Sequence, residues 1–228
     1  MHRRFFLVLA AVLIASRCGA TAIAEEAILT AGDARKKLEE GNQRFVSGKA
    51  IHPDLDRHRL DETAAHGQHP FATVIACSDS RVPPELLFDQ GIGDLFVIRV
   101  AGNVFGVDEV ASAEYGIEHL HTPVLVILGH THCGAVEATT AGGTAHGSIP
   151  ALLERIRPVV AKVKHDHPDY QGERFNEAVV DENVYKSLHD LLHQSEIARQ
   201  LIQSGKLLIL PAKYDIATGR VQWLGHGQ

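Results

Sequence analysis

The sequence predicts an α/β fold, a mainly parallel central sheet flanked by helices and closed by a C-terminal edge strand. Four short apolar runs, 71–76, 95–100, 124–128 and 207–210, are continuous in branched residues rather than alternating. That is the pattern of strands covered on both faces. Helical stretches lie between them, so strand and helix alternate along the chain. The 228 residues contain no repeat, low-complexity tract or Pro/Gly-rich linker, which fits one domain.

The elements follow in order. Residues 1–24 have the layout of a signal peptide. Arg3 and Arg4 form a positive start, 5–15 is an apolar stretch, and Ala22-Ile23-Ala24 is a small-x-small cleavage site. The apolar stretch is too short to span a bilayer comfortably, so cleavage after Ala24 and a periplasmic or secreted chain are expected, with no stable membrane anchor. The paired arginines partly fit a twin-arginine signal, although His2 stands where Ser or Thr is usual. Arg17 before Cys18 argues against a lipoprotein. The remaining 25–228 form one domain. The spacing of Ala34, Leu38 and Phe45 predicts a helix over 30–46, stopped by Gly48. Residues 49–70, rich in His, Pro, Asp and Arg, are expected to wrap over the surface. Strands are expected at 71–76, 95–100, 124–128 (ended by Gly129) and 207–210, and helices at 109–121, 149–164 and 176–203. A turn at 214–219 leads into an edge strand at 221–224.

Composition narrows the classes of function. Apolar residues make up 45% and charged residues 22%, which excludes a disordered chain and a disulfide-dense mini-protein. The formal charge is −6, and cleavage would remove three arginines and no acid, leaving −9. Nucleic acid is therefore not an expected partner. Cleavage would also remove Cys18 and leave only Cys77 and Cys133.

Cys77-Ser78-Asp79-Ser80-Arg81 follows the first strand, and His130-Thr131-His132-Cys133-Gly134 follows the third. Both clusters thus fall at carboxyl ends of strands, where open α/β sheets form their sites. Two thiolates and an imidazole suit Zn²⁺, and three protein ligands leave a fourth position for water, Asp79 or His132. A Cys77–Cys133 disulfide, or two plain buried cysteines, is the alternative. Arg81 can hold the Asp79 carboxylate through paired hydrogen bonds if the segment is extended. His132 is expected to point away from the metal. Gly134 is expected to open a helix whose N–H steadies an anion.

Cys-Ser-Asp-Ser-Arg-Val at 77–82, followed by Gly-His-x-x-Cys-Gly at 129–134, closely resembles the β-class carbonic anhydrases. The resemblance extends to Gly93–Arg99, Ala101-Gly102-Asn103 and Tyr214-Asp215-x-x-Thr218-Gly219. It implies one zinc per chain on Cys77, His130 and Cys133, with Asp79 and Arg81 as a catalytic dyad. It implies reversible hydration of carbon dioxide to bicarbonate and a proton by zinc-bound hydroxide. It also implies a homodimer or dimer of dimers with the pocket at the subunit interface. Gln68, Phe96 and Tyr115 look like the residues that line the carbon dioxide pocket in the open-site subgroup, and Gly134 can steady bicarbonate. In the other subgroup the aspartate closes on zinc at lower pH. His119, one helical turn from Tyr115, is the candidate proton shuttle. Rival readings are hydrolysis of carbon disulfide or carbonyl sulfide at the same zinc, a non-catalytic zinc protein and a bicarbonate-binding module.

Overall fold

A computed structural model describes residues 29–225. The expected signal peptide, its cleavage site and Cys18 lie outside the described residues. Among the described residues, no helix is long and apolar enough to cross a membrane.

Helix α1 (Ala31–Val46) starts one residue later than the spacing predicts, because Thr30 is its cap and accepts from the Asp33 N–H at 3.1 Å. The stretch 49–70 does run over the surface, but it contains a helix, α2 (Arg57–His66), capped by Asp56. None of its residues is buried, so it has no apolar stripe for sequence spacing to reveal.

Strand β1 (Ala72–Ala76), α3 (Pro84–Leu87) and β2 (Leu95–Arg99) follow, then a 3₁₀ turn (Ala101–Asn103). Helix α4 (Val107–Glu114) runs into a π turn (Tyr115–His119) that ends with the Leu120 N–H on the Tyr115 carbonyl, 3.0 Å. Strand β3 (Val124–His130) leads to α5 (Gly134–Ala141). The helix expected at 149–164 is two helices, α6 (Ile149–Leu153) and α7 (Arg157–Asp166). Pro158, in the first turn of α7, has no N–H with which to continue from α6. The helix expected at 176–203 is also two, α8 (Gly172–Gln194) and α9 (Glu196–Gln203). Buried Ser195 separates them, capping α9 at 3.0 Å and donating to Glu114 at 2.6 Å. The chain closes with β4 (Leu208–Tyr214) and β5 (Val221–Trp223).

The strand order is β2-β1-β3-β4-β5, parallel except for antiparallel β5. Two strands outrun their apolar runs. β3 passes Gly129 because Gly129 pairs with Lys213 and His130 with Tyr214. β4 continues past Pro211, which pairs with Ile127. The Pro211 carbonyl accepts from Leu224 on the β5 side. Its hydrogen-free nitrogen faces that side too, so the β3 ladder loses nothing.

The sheet is covered on both faces. Val74, Val126 and Leu210 pack in one cluster with Leu38 of α1 and Phe88. Ile75, Leu125, Ile127 and Ile209 pack in another with Val184, Leu188 and Leu191 of α8. Alternate residues of each strand thus serve opposite layers. Helix α1 approaches closely at Gly41, where a Cβ would stand 1.7 Å from the Phe88 carbonyl oxygen. Gly41→Ala is expected to cost about 1–3 kcal/mol by overpacking and to lower the melting temperature by about 2–12 °C. An unchanged thermal melt would contradict this contact.

Candidate active site

Cys77 is the first residue past β1, His130 ends β3, and Cys133 caps α5. Their side chains converge. The two sulfurs and an imidazole nitrogen all lie within 4.8 Å of one another, and all three residues are buried. His130 is fully buried. Its Nδ1 lies 2.9 Å from the Thr131 carbonyl oxygen, which can only accept, so Nδ1 carries the proton. That leaves the Nε2 lone pair facing the sulfurs, buried and without a hydrogen-bond partner. Both thiols are free, so the alternative of a disulfide is not what the fold makes of them.

The electrostatics fit a cation. Without one, the two thiols share a proton. The hydrogen bond from Cys133 lowers Cys77 to about 4, aided by the N–H groups of Gly102 and Asp79, against the cost of burial. The same bond, with burial, holds the proton on Cys133. An orphaned buried imidazole nitrogen, a thiolate and a second thiol that a bound cation would deprotonate form a donor set that matches Zn²⁺. Asp79 is not a member of this cluster. His132, in a left-handed conformation with φ 54°, is half exposed and lies 3.7 Å from both Glu137 and Glu173. It faces away, as expected.

The loop after β1 is not extended, as the sequence reading had it, but turns. The Asp79 carbonyl accepts from the Val82 N–H at 3.0 Å, and its Oδ1 accepts from the Arg81 N–H at 2.9 Å. This turn still brings the dyad together. Arg81 donates through Nε to Oδ1 at 2.9 Å and through Nη2 to Oδ2 at 2.7 Å. The Arg81 fork holds the Asp79 carboxyl well below the usual carboxylate range.

Several supports were not visible in the sequence. The Gly102 N–H donates to Cys77 Sγ at 3.2 Å. Gly102 sits at φ 72°, where a Cβ would meet Ile156 at 2.8 Å. Buried Asn183 of α8 donates to its carbonyl at 2.8 Å, and Ser187 to that of Asn103 at 2.9 Å. Arg81 also donates to the His132 carbonyl at 3.1 Å. Arg99 of β2 donates to the carbonyls of Cys77 and Asp79. All of these contacts cross twenty residues or more, and local spacing gives no signal for them.

The expected pocket residues lie elsewhere. Gln68 is exposed in the loop before β1. Phe96 pairs with Thr73 near the start of β1, four residues and about 13 Å along the strand from Cys77. Tyr115 is 46% exposed, its ring 5.7 Å from Phe96 and 4.6 Å from His119. Within one chain Gln68, Phe96, Tyr115 and His119 therefore stand at the opposite end of the sheet from the metal ligands. Reading them together with the ligands as one site holds only between chains. Gly134, in contrast, adjoins Cys133 as the first residue of α5, with open space beside it.

Residues 72–221 match the family described as Carbonic anhydrase. That span runs from the first residue of β1 to the first residue of β5. The chain belongs to the β-class carbonic anhydrase family. Carbonic anhydrase 2 of Mycobacterium tuberculosis is 36% identical over 199 residues, covering 84% of this chain and 91% of the relative. The carbonic anhydrase of Mycolicibacterium smegmatis is 35% identical, with 84% and 92% covered. Among solved structures, the β-carbonic anhydrase CcaA superposes with a TM-score of 0.68 at 28% identity, over 85% of this chain and 92% of that one. A tetrameric β-carbonic anhydrase of Sordaria macrospora gives 0.70 at 25%, over 83% and 95%. The family's cofactor is zinc, and Cys77, His130 and Cys133 are the donors available for it among the described residues.

The lowered Asp79 has a definite sign. Its ionised form contributes stability that is fully present above the ordinary aspartate value of about 3.9 and is lost only as pH falls through the lower folded-state value. Carbon-13 NMR of aspartate-labelled protein is expected to find Asp79 still ionised where exposed aspartates protonate. Arg81→Met should return it to their range. A wild-type Asp79 titrating with the others would contradict the fork.

Proposed function

We propose that this protein is a zinc carbonic anhydrase that interconverts carbon dioxide and bicarbonate, exported by its signal peptide and assembled as a homodimer or dimer of dimers. The observation that carries the reading is the buried Cys77–His130–Cys133 cluster, with the His130 Nε2 unpartnered, in a chain of this family. Zinc, when bound there, supplies a water that ionises near pH ~7.

The chain's own residues do the rest. Asp79, kept ionised by Arg81, can only accept. It accepts a hydrogen bond from the attacking oxygen, without taking its proton, and so turns the oxygen's lone pair toward carbon dioxide. The Gly134 N–H, at the start of α5, steadies the oxygens of bicarbonate. Gln68, Phe96 and Tyr115 of a second copy of the chain complete the pocket. Gln68 donates its amide hydrogen to a substrate oxygen, and Phe96 and Tyr115 supply an apolar wall for an uncharged gas. His119, its ring tilted against that of Tyr115, carries the released proton outward.

Three features support the assembly. β2 is an open edge of the sheet. Val107, the first residue of α4, and Tyr115, just past its end, are 76% and 46% exposed. The two halves of the pocket are separated within one chain. The basic start, apolar stretch and small-x-small site of 1–24 support export, with the domain running from 25 to 228.

In a Gram-negative host the exported chain is expected to begin at Glu25, carry one zinc and hydrate carbon dioxide rapidly in stopped-flow. Cys77→Ala should lose zinc and fall to the uncatalysed rate. A zinc-loaded chain without hydration would sink the activity, and a chain retained with its first residues would sink the export.

Mixing two inactive variants tests the shared pocket. Cys77→Ala keeps the pocket wall, and Gln68→Ala/Tyr115→Ala keeps the metal ligands. Refolded together, half the dimers are mixed, each with one complete site, so about a quarter of wild-type activity should return. Activity no higher than the sum of the separate variants would place the pocket within one chain.

A further inference from the structure

We infer that Arg99 is a positioning residue, fixing the Asp79–Arg81 pair relative to the metal ligands; this rests on the role given to Asp79 above. Arg99 is the last residue of β2 and pairs in register with Ala76. Its Nε donates to the Cys77 carbonyl at 3.2 Å and its Nη2 to the Asp79 carbonyl at 2.6 Å. One planar fork thereby grips the backbone on both sides of Ser78.

The need for it follows from how the dyad is built. Every hydrogen bond between Asp79 and Arg81 joins residues two apart. Such bonds shape the turn, but they move with it and cannot set where it stands above the sheet. Beyond the ladder the main chain offers the Ser78 N–H on the Val100 carbonyl, at 3.3 Å, and the Gly102 N–H on Cys77 Sγ, at 3.2 Å, and neither holds Asp79. Two charged donors supply the rest. Arg81 reaches the His132 carbonyl, between two metal ligands, at 3.1 Å. Arg99 ties the turn to β2. Of the two, Arg99 alone is anchored in a strand, and it alone holds both the carbonyl of a ligand and that of the dyad aspartate. Its action on the reacting atoms runs through Asp79.

The test is a double-mutant cycle on the zinc-loaded chain: Arg99→Met, Arg99→Lys, Asp79→Asn and each pair, with kcat/KM, zinc content and melting temperature measured together. Misplacing a reacting group by about 1 Å costs on the order of 10²-fold. Arg99→Met is therefore expected to lower kcat/KM about 10- to 100-fold at one zinc per chain. Arg99→Lys, which keeps one charged donor, should recover part of that loss. In the Asp79→Asn background, Arg99→Met should add less than about twofold, because the group it positions is gone. Equal losses in both backgrounds, loss in step with zinc or melting temperature, or no loss beside a damaged Asp79→Asn would overturn Arg99 alone. Full activity in Asp79→Asn would overturn the role of Asp79, and Arg99 with it.

Discussion

The parallel pairing of β1 with β3 is the constraint on which the site depends. Ala76 pairs with Leu128, so Cys77 leaves β1 beside the point where β3 runs on to His130. Neighbouring strands lie about 4.8 Å apart, which is the span the three donor atoms share. A parallel pair cannot be closed by a hairpin and needs a crossover. The crossover here contains α3, β2 and α4, which is why ligands side by side in space are about fifty residues apart in sequence. β4 then holds β3 in place past Gly129, and without the pairs Gly129↔Lys213 and His130↔Tyr214 the imidazole would have no fixed origin.

Burial makes that convergence demanding. An unpartnered buried nitrogen costs about 1–3 kcal/mol, and a second thiolate beside the first would cost more still in a dry site. Protons and the Gly102 N–H satisfy this cluster only in part. A divalent cation satisfies all three donors at once, so the metal and the fold meet the same requirement from two sides. The support then passes outward: Asn183 and Ser187 of α8 hold the turn that aims Gly102 at Cys77. The longest helix of the described chain thereby serves the chemistry without touching it.

The legibility of each feature tracks the range of the physics behind it. Covered strands announce themselves by continuous branched residues, and ligands at strand ends by their local spacing, so β1 to β4 and the Cys77–His130–Cys133 set could be read directly. The ends of β3 and β4 could not, because Gly129 and Pro211 look like stops until a neighbouring strand pairs with them. Helix α2 has no buried face, so apolar spacing had nothing to register. The break at Ser195 depends on Glu114, 81 residues away. Arg99 reads as one more basic residue until the register sets it beside Ala76. Gln68, Phe96 and Tyr115 come together as a group only through the family resemblance, and which end of the sheet they occupy depends on strand direction.

That last placement has a consequence for how the pocket can form. The separation of Phe96 from Cys77 is set by strand length, and strands covered on both faces neither shorten nor bend to close a gap of about 13 Å. No loop movement within one chain can bring the aromatic pair to the metal ligands while the ladder is intact. A twofold assembly has no such difficulty, since it sets the start of one sheet against the end of another and builds two pockets with one interface. The π turn helps by adding a residue at the end of α4, which leaves Tyr115 at the surface with the His119 ring tilted against it. In the proposed dimer, assembly is then part of the active site itself, and a chain kept apart would hold zinc with every ligand in place yet lack the wall against which carbon dioxide must lie.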